Sequence, residues 1–224
     1  MHPVSESAQT LDRGLRLLHL VADVPGGLTV TEAAGRLGVG RAVVYRLAEA
    51  LAGHGMLRRD SDGRLKLGPG VLHLARRAQP LLADAAVPVL RGLAERTGVT
   101  AHLTLADGPE GVAVAVVEPS WTTFHVAYRT GARHPLTLGA AGRAILAGRA
   151  AADGSAPGAA ADGHAGSPVL AVSSGELQPG AHGVAAGVPG LEASVGIIAL
   201  EPLDVDVVGP QVTAAAAALA EALR

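Results

Sequence analysis

Apolar side chains recur at helical spacing through the first twenty or so residues of the chain. The repeat begins after the polar residues Ser7 and Thr10 and stops at the run Pro25-Gly26-Gly27, which cannot continue a helix. We therefore predict a first helix that packs beneath the elements that follow. Its apolar positions are Leu11, Leu15, Leu18, Leu20 and Val21.

Two shorter helical patterns follow between residues 28 and 51. Either Thr29 or Thr31 can cap the first of them, where Glu32 lies near the positive end of the helix dipole. Gly38 permits the positive φ that a sharp turn between helices needs. The pattern predicts a helix-turn-helix with one apolar cluster, to which Ala34 adds a small residue at the helix crossing. The cluster consists of Ala33, Leu37, Val39, Val44 and Leu47.

The second of these helices is predicted to run from about Arg41 to Gly53. Its polar face carries Arg41, Tyr45 and Arg46, and basic residues on the second helix of a helix-turn-helix are suited to the major groove of DNA. The pattern leaves two places for Tyr45, which can stack on a sugar or pack inward. DNA is therefore the first partner that the sequence indicates.

Residues 56–67 alternate between apolar and polar positions on either side of Asp62-Gly63, a dipeptide favoured in tight hairpins. The sequence predicts a wing whose inward residues are Leu57, Leu65 and Leu67. Its outward cations, suited to phosphates, are Arg58, Arg64 and Lys66. A solvated hairpin with ordinary surface charges is the alternative.

The run Gly68-Pro69-Gly70 then breaks the chain, and apolar residues from Val71 onward restart a helix that Pro80 is expected to end or bend. A separate helix is expected near Pro88 to Thr97, with Gly98 as its cap. We predict a winged helix-turn-helix domain over 1–68, a linker helix over 69–82 and a second domain over 83–224.

The second domain is expected to be α+β. We predict strands over 100–106, 112–118, 123–129, 169–172, around 184 and over 193–200, and helices over 138–147 and 207–224. Residues 149–168 are nearly all Ala, Gly, Asp, Ser and Pro, so we expect a loose loop there.

Charge divides the chain of 224 residues, whose net charge is −2. Residues 1–80 hold eleven Lys or Arg against seven Asp or Glu, whereas residues 81–224 hold seven against thirteen. Because phosphates repel an acidic surface, nucleic acid is expected to contact the first part only. The absence of cysteine excludes disulfides and thiolate zinc sites and agrees with a cytoplasmic location, and no membrane-spanning run is expected.

Candidate catalytic chemistry is sparse. The nine histidines, His102 and His134 among them, lack the spacing of a metal site, and Ser173-Ser174 lacks the context of a nucleophile. We therefore predict no catalytic residue, no metal and no cofactor. Arg133 is either an anion partner in a pocket or an ordinary surface charge, and Trp121 either lines a pocket or plugs the sheet.

The order of elements resembles the IclR family of bacterial transcription regulators. In the first domain the resemblance is carried by residues 28–34, 37–47, 55–60 and 63–68, and in the second by residues 89–103, 135–147 and 175–186. It implies a winged helix-turn-helix, a linker helix and a ligand-sensing α/β domain related to GAF and PAS folds, with an antiparallel sheet. It also implies a homodimer, or a tetramer, that binds a double-stranded operator and a small-molecule effector, often an organic acid.

The resemblance also implies site residues. The DNA-binding positions are Gly40, Arg41, Ala42, Val43, Tyr45, Arg46, Arg58, Arg59, Arg64 and Lys66. Ala42 and Val43 replace the hydroxyl residues usual in the family, which implies an unusual base preference. The effector-binding positions are Val126, Ala140, Ala141, Ser173, Ala181, Gly183 and Leu200.

Two physical arguments accompany the effector positions. Small residues such as Ala140 and Gly183 leave room for a ligand, and the free N–H groups at the start of the helix at 139–141 can bind a carboxylate. An enzyme that uses the second domain catalytically is the alternative function. It requires a convergent acid-base or metal set, which the sequence does not show.

Overall fold

The computed structural model describes residues 6–122, 126, 128–152 and 169–224. The chain separates into two units, Met1–Gln79 and Pro80–Arg224. The elements of the first unit are α1 (Glu6–Ala22), α2 (Val30–Leu37), α3 (Arg41–Gly53), β1 (Leu57–Arg59) and β2 (Leu65–Leu67). Their apolar faces share one core, which confirms the predicted winged helix-turn-helix.

Local signals set the ends of α2 and α3. Thr29, not Thr31, caps α2. Its side chain accepts a hydrogen bond from the Glu32 backbone N–H, and the Glu32 carboxylate accepts one from the Thr29 backbone N–H, so the two residues form a capping box. Gly38 ends α2 with φ of 68°. Helix α3 then begins at Arg41 and ends at Gly53, as predicted.

Helix α1 buries only part of the stripe that we predicted: of its five positions, Val21 is buried and Leu18 and Leu20 are half-buried against the core. Leu17 and Val21 are buried in the core, whereas Leu11 and Leu15 are 65% and 48% exposed. The five predicted positions extend over more than one face of a helix of 3.6 residues per turn, and only one face can pack on α2 and α3. Leu11 and Leu15 therefore remain as an apolar strip on the surface of this unit.

The wing forms with one correction. Strands β1 and β2 pair antiparallel with Leu57 opposite Leu67 and Arg58 opposite Lys66. Leu57 and Leu65 are buried as expected, but Leu67 is exposed. Leu28 forms an isolated antiparallel bridge with Leu65 and so lies beside that part of the hairpin. The bridge does not extend to Leu67.

One long helix, α4 (Gly70–Thr97), replaces the two that we predicted. It passes through Pro80 and Pro88 without ending, so the predictions of a linker helix that stops by residue 82 and of a separate helix from Pro88 were wrong. Proline removes one hydrogen bond from a helix. Burial of Leu90 and Leu93 in the core of the second unit favours the helical path in its C-terminal part.

The second unit is built on a six-stranded antiparallel sheet in the order β5-β4-β3-β8-β7-β6. Its elements are β3 (Thr100–Asp107), β4 (Glu110–Val117), β5 (Arg133–Pro135), α5 (Gly139–Ala152), β6 (Leu170–Ser174), β7 (His182–Gly187), β8 (Ala193–Ala199) and α6 (Val205–Ala222). The predicted α+β class with an antiparallel sheet is confirmed.

Three boundaries differ from prediction. Val126 and Tyr128 lie outside any strand, and the rest of the proposed strand at 123–129 falls largely outside the described residues. The short strand β5, which we did not predict, forms that edge of the sheet. Helix α5 continues to Ala152, so the expected loop cannot begin at 149; residues 153–168 lie outside the described residues.

The two faces of the sheet differ in chemistry. One face is apolar and packs on α4 and α6 through residues such as Leu103, Val195 and Ile197. The opposite face, here called the α5 face, packs on α5. It carries the larger apolar Val116 and Ile198 but mainly small or polar side chains. They are Thr100, His102, Thr104, Gly183, Ala185, Ser194 and Gly196. In the described part of the chain, no helix is long and apolar enough to cross a membrane.

Candidate nucleic-acid interface and ligand-binding face

Helix α3 has one side buried in the core and the other exposed to solvent. Val44, Leu47 and Ala48 face the core, and this places the side chains of Arg41, Ala42, Tyr45 and Arg46 on the exposed side. Gly40 is the exposed N-cap, and Val43 is half-buried.

Tyr45 connects α3 to the wing. The guanidinium carbon of Arg59 lies 4.7 Å from the centre of the Tyr45 ring, in cation–π geometry. Tyr45 is 48% exposed, so it does not pack inward. The contact joins the first wing strand to the exposed side of α3. Sequence reasoning missed it because the two residues are distant in the chain.

Two of the predicted phosphate-binding cations are already paired within the unit. Arg64 Nη1 lies 3.3 Å from Glu32 Oε2, and Lys66 Nζ lies 2.9 Å from Asp60 Oδ2. The Lys66 hydrogen bond, followed by the backbone N–H of Arg64, lowers the pKa of Asp60. Arg64 and Lys66 are therefore half-buried and opposed by carboxylates, in contrast to the freely outward position that we expected. Arg58 and Arg59 are exposed.

Three predicted effector positions meet on the α5 face. A Cβ atom added to Gly183 would lie 2.9 Å from Ser173 Oγ and 3.5 Å from Ala140 Cβ. Ala141 belongs to the same buried cluster as Ala140. The small residues thus allow α5 to approach the sheet closely, so the room that we expected beside Gly183 is filled.

The start of α5 is not a free anion site either. The Gly139 N–H donates to Glu176 Oε2 at 2.9 Å, and Arg143 Nη2 lies 2.6 Å from Glu176 Oε1. Arg143 also donates to the Val172 carbonyl. A carboxylate does occupy this helix end, as the dipole argument requires, but it belongs to the chain itself.

The remaining effector positions are dispersed. Val126 is buried, and Ala181 is buried in the turn where its N–H donates to the Gln178 carbonyl. Leu200 is 55% exposed and follows the end of β8 at Ala199, so the strand ends one residue before the predicted bound of 200.

A buried polar cluster that we did not predict occupies the same face. His102 Nδ1 and Thr104 Oγ1 are hydrogen-bonded at 3.2 Å, and the His102 and Tyr128 rings lie 4.9 Å apart. Burial, and secondarily His134, lowers the pKa of His102 to about 3, and burial raises the pKa of Tyr128. His102 is therefore uncharged at neutral pH. The alternation of Thr100, His102 and Thr104 along β3 was the available sequence signal.

Three buried atoms near this cluster lack a protein hydrogen-bond partner within the described residues. They are Thr100 Oγ1, Ser194 Oγ and His134 Nε2. Ser194 pairs across the sheet with Thr104, and a Cβ added to Gly111 would lie 3.0 Å from His134 Cε1 and 2.9 Å from Thr104 Cγ2. A buried polar atom without a partner costs about 1–3 kcal/mol.

The partners of Arg133 and Trp121 lie outside the buried polar cluster of His102, Thr104 and Tyr128. Arg133 forms ion pairs with Asp107 at 2.5 Å and Glu110 at 2.9 Å, which makes it a surface charge. The Trp121 indole N–H donates to the Glu95 carbonyl at 3.1 Å, and its ring lies against Gly98. In the described ranges, no group of three or more His, Asp or Glu side chains could hold a metal ion.

The chain thus combines a winged helix-turn-helix unit with an α/β unit. The model for the IclR helix-turn-helix domain matches residues 10–61, and the model for the C-terminal domain of the bacterial transcriptional regulator IclR matches residues 78–156. These matches together span more than half of the chain, which belongs to the IclR family.

Named relatives agree with this assignment to the IclR family. The chain is 34% identical over 148 residues to the HTH-type transcriptional regulator BhcR of Paracoccus denitrificans, covering 64% of this chain and 52% of that protein. It is 27% identical over 150 residues to the transcriptional repressor IclR of Escherichia coli, covering 65% and 54%. The match thus spans about half the length of these relatives, which are named as regulators, not enzymes.

Among solved structures, a putative IclR-family regulator from Rhodococcus sp. aligns with a TM-score of 0.55 and 22% identity, over 99% of this chain and 96% of that one. The IclR protein of Thermotoga maritima aligns with a TM-score of 0.51 and 21% identity, over 96% and 98%. At these identities the likeness establishes the shared fold.

Proposed function

We propose that the chain is a DNA-binding transcription regulator whose second unit senses a small molecule. The observation that carries the proposal is the exposed face of α3, where Arg41, Tyr45 and Arg46 lie together and Arg59 of the wing stacks on Tyr45. A helix with this exposed chemistry, at this place in a helix-turn-helix, suits the major groove.

The proposed assembly is a homodimer, or a tetramer made of two such dimers, that reads a near-palindromic operator in the cytoplasm. The exposed strip of Leu11 and Leu15 on α1 supports a contact between copies through their first helices, because apolar side chains gain from leaving water. Two-fold symmetry of the protein would then match two half-sites about one helical turn apart.

The proposed ligand binds on the α5 face. The hydrogen-bonding atoms of Thr100, Ser194 and His134 support this placement, because a polar ligand would satisfy them. An organic acid, which the family resemblance implies, would find the Gly139 N–H at the start of α5 already bound by Glu176.

Genomic fragments captured by the purified full-length chain will identify the operator. We expect Arg46→Ala to weaken operator binding by about 1–3 kcal/mol if the guanidinium contacts a base, and Arg41→Ala to weaken it as well. Fluorescence anisotropy with the captured operator measures both. Arg76→Ala, which removes one exposed charge from α4, is the matched control. If both α3 variants bind the operator as tightly as wild type, α3 does not recognise the DNA sequence.

The wing cations are expected to differ in how much each contributes to DNA binding. Arg58→Ala should weaken all DNA sequences similarly and lower the slope of log K against log salt by roughly one unit, because one phosphate contact is lost. Arg64→Ala should change the slope less, because Glu32 already opposes that charge. Titrations of operator and random DNA at several salt concentrations measure this. A loss by Arg58→Ala that is confined to the operator would contradict a phosphate role.

A further inference from the structure

The contact between Arg59 and Tyr45 orients a cation without neutralising it. The guanidinium carbon lies 4.7 Å from the centre of the Tyr45 ring, and both residues are exposed. An aromatic ring carries no net charge, so the guanidinium keeps its charge for an anion. Among the described residues, no carboxylate forms an ion pair with Arg59, in contrast to Arg64 and Lys66.

The backbone on either side of Arg59 is fixed. Leu57 is buried in the core of the first unit, and Asp60 Oδ1 accepts from the Asp62 N–H at 3.0 Å and from the Arg64 N–H at 2.9 Å. The remaining freedom belongs to the long Arg59 side chain, which loses rotamer entropy when it binds. The Tyr45 ring restricts that side chain before DNA arrives.

The alternation of side chains along β1 separates its two arginines. Successive residues of a strand point to opposite faces, so Arg59 shares the face of the buried Leu57, whereas Arg58 lies on the other face. Arg58 pairs across the hairpin with Lys66. Two neighbouring cations of the same kind therefore differ in their relation to α3, and only Arg59 contacts Tyr45.

We propose that Tyr45 is a positioning residue, which holds Arg59 beside the exposed side of α3 so that Arg59 binds a phosphate of the DNA backbone. The inference rests on the proposed DNA-binding function and goes beyond it, because it assigns Tyr45 to the guanidinium and not to a base or a sugar. Part of the ordering of Arg59 is completed in the free protein, so less rotamer entropy is lost when the phosphate binds.

A double-mutant cycle in the full-length chain tests the proposal. Fluorescence anisotropy measures binding to the captured operator and to a random duplex of equal length. Tyr45→Ala should weaken both roughly 2–5-fold, the range expected from an exposed cation–π contact. In the Arg59→Ala background the same substitution should have no further effect. Tyr45→Phe keeps the ring and should bind as wild type does.

Arg58→Ala supplies the matched control. It removes the neighbouring cation but leaves the Tyr45 contact, so Tyr45→Ala should keep its full effect in that background, as expected for independent sites. An equal loss from Tyr45→Ala in the wild-type and Arg59→Ala backgrounds would overturn the proposal. A loss in Tyr45→Phe would also overturn it, since the phenolic hydroxyl would then contact DNA directly.

The contact itself is measured without DNA. NMR of the full-length chain with isotope-labelled arginine should show the Arg59 δ protons shifted upfield by the ring current. This shift should persist in Tyr45→Phe and disappear in Tyr45→Ala, and its absence from wild type would overturn the proposal. If Tyr45→Ala lowers the Tm, Tyr45→Leu, which keeps an apolar side chain without a ring, takes its place in the cycle.

The outcomes separate this role from the proposed function. Specific operator binding by wild type together with an additive cycle would overturn the positioning role alone. If wild type shows no preference for any captured fragment over random DNA, the proposed function is wrong and the positioning role with it, whereas the ring-current shift would still report the contact.

Discussion

Gly142→Ala is expected to destabilise the second unit by about 3 kcal/mol, near the upper end of typical overpacking costs. The added Cβ would lie 2.4 Å from the Leu136 carbonyl oxygen and 2.7 Å from the Leu136 carbonyl carbon. These atoms are backbone, so a side-chain rotation cannot relieve the contact. Either α5 or the segment before it must move.

The same helix supplies the control. Gly148 has nothing within 4 Å of its Cβ position, so Gly148→Ala should gain about 0.5–1 kcal/mol from helix propensity. Urea unfolding followed by the fluorescence of Trp121, the single tryptophan of the chain, reports on the second unit. Equal stability of the two variants would mean that Gly142 is not a close-packing position.

Acid is expected to weaken the second unit through His102. The pKa of His102 is lowered to about 3 in the folded chain by burial, with His134 adding to the effect. When pH falls below about 6.5, the unfolded chain gains a proton on this residue that the folded chain does not accept, so stability is lost progressively until the pH reaches about 3. At pH 5 the expected loss is roughly 2 kcal/mol, since one pKa unit corresponds to about 1.4 kcal/mol.

His102→Asn should remove this component, so that its stability falls less between pH 7 and pH 5 than that of wild type. The comparison uses the change with pH within each variant, which separates titration from any packing loss caused by the substitution. His73→Asn, at an exposed position on α4, is the control. Parallel stability curves for wild type and His102→Asn would show that the buried imidazole does not titrate as described.

The helix-turn-helix was predictable because its signals are local. The capping residue Thr29, its partner Glu32 and the turn at Gly38 lie within ten residues of one another, and each has a direct effect on the backbone. The path of α4 was not predictable from the sequence. The local signal of Pro88 was overridden by the burial of Leu90 and Leu93, and that burial depends on the rest of the fold.

The site was less predictable than the fold for a related reason. The Arg64–Glu32 pair joins residues 32 positions apart, and Gly139 and Glu176 are 37 apart. The residue types indicated cations that could bind DNA and a helix end that could bind an anion. Which groups neutralise one another depends on strand register and helix placement, and neither could be derived from the sequence alone.

The close fit of α5 against small residues restricts how this unit can evolve. A Cβ at Gly196 would lie 2.7 Å from His102 Cε1, and one at Gly187 would lie 3.1 Å from the Ala144 carbonyl oxygen. Larger side chains are therefore costly on this face, whereas exchanges among similarly sized polar residues leave the packing intact. New ligand preferences in descendants of this protein should arise mainly by altering hydrogen-bonding atoms, with little change in side-chain volume.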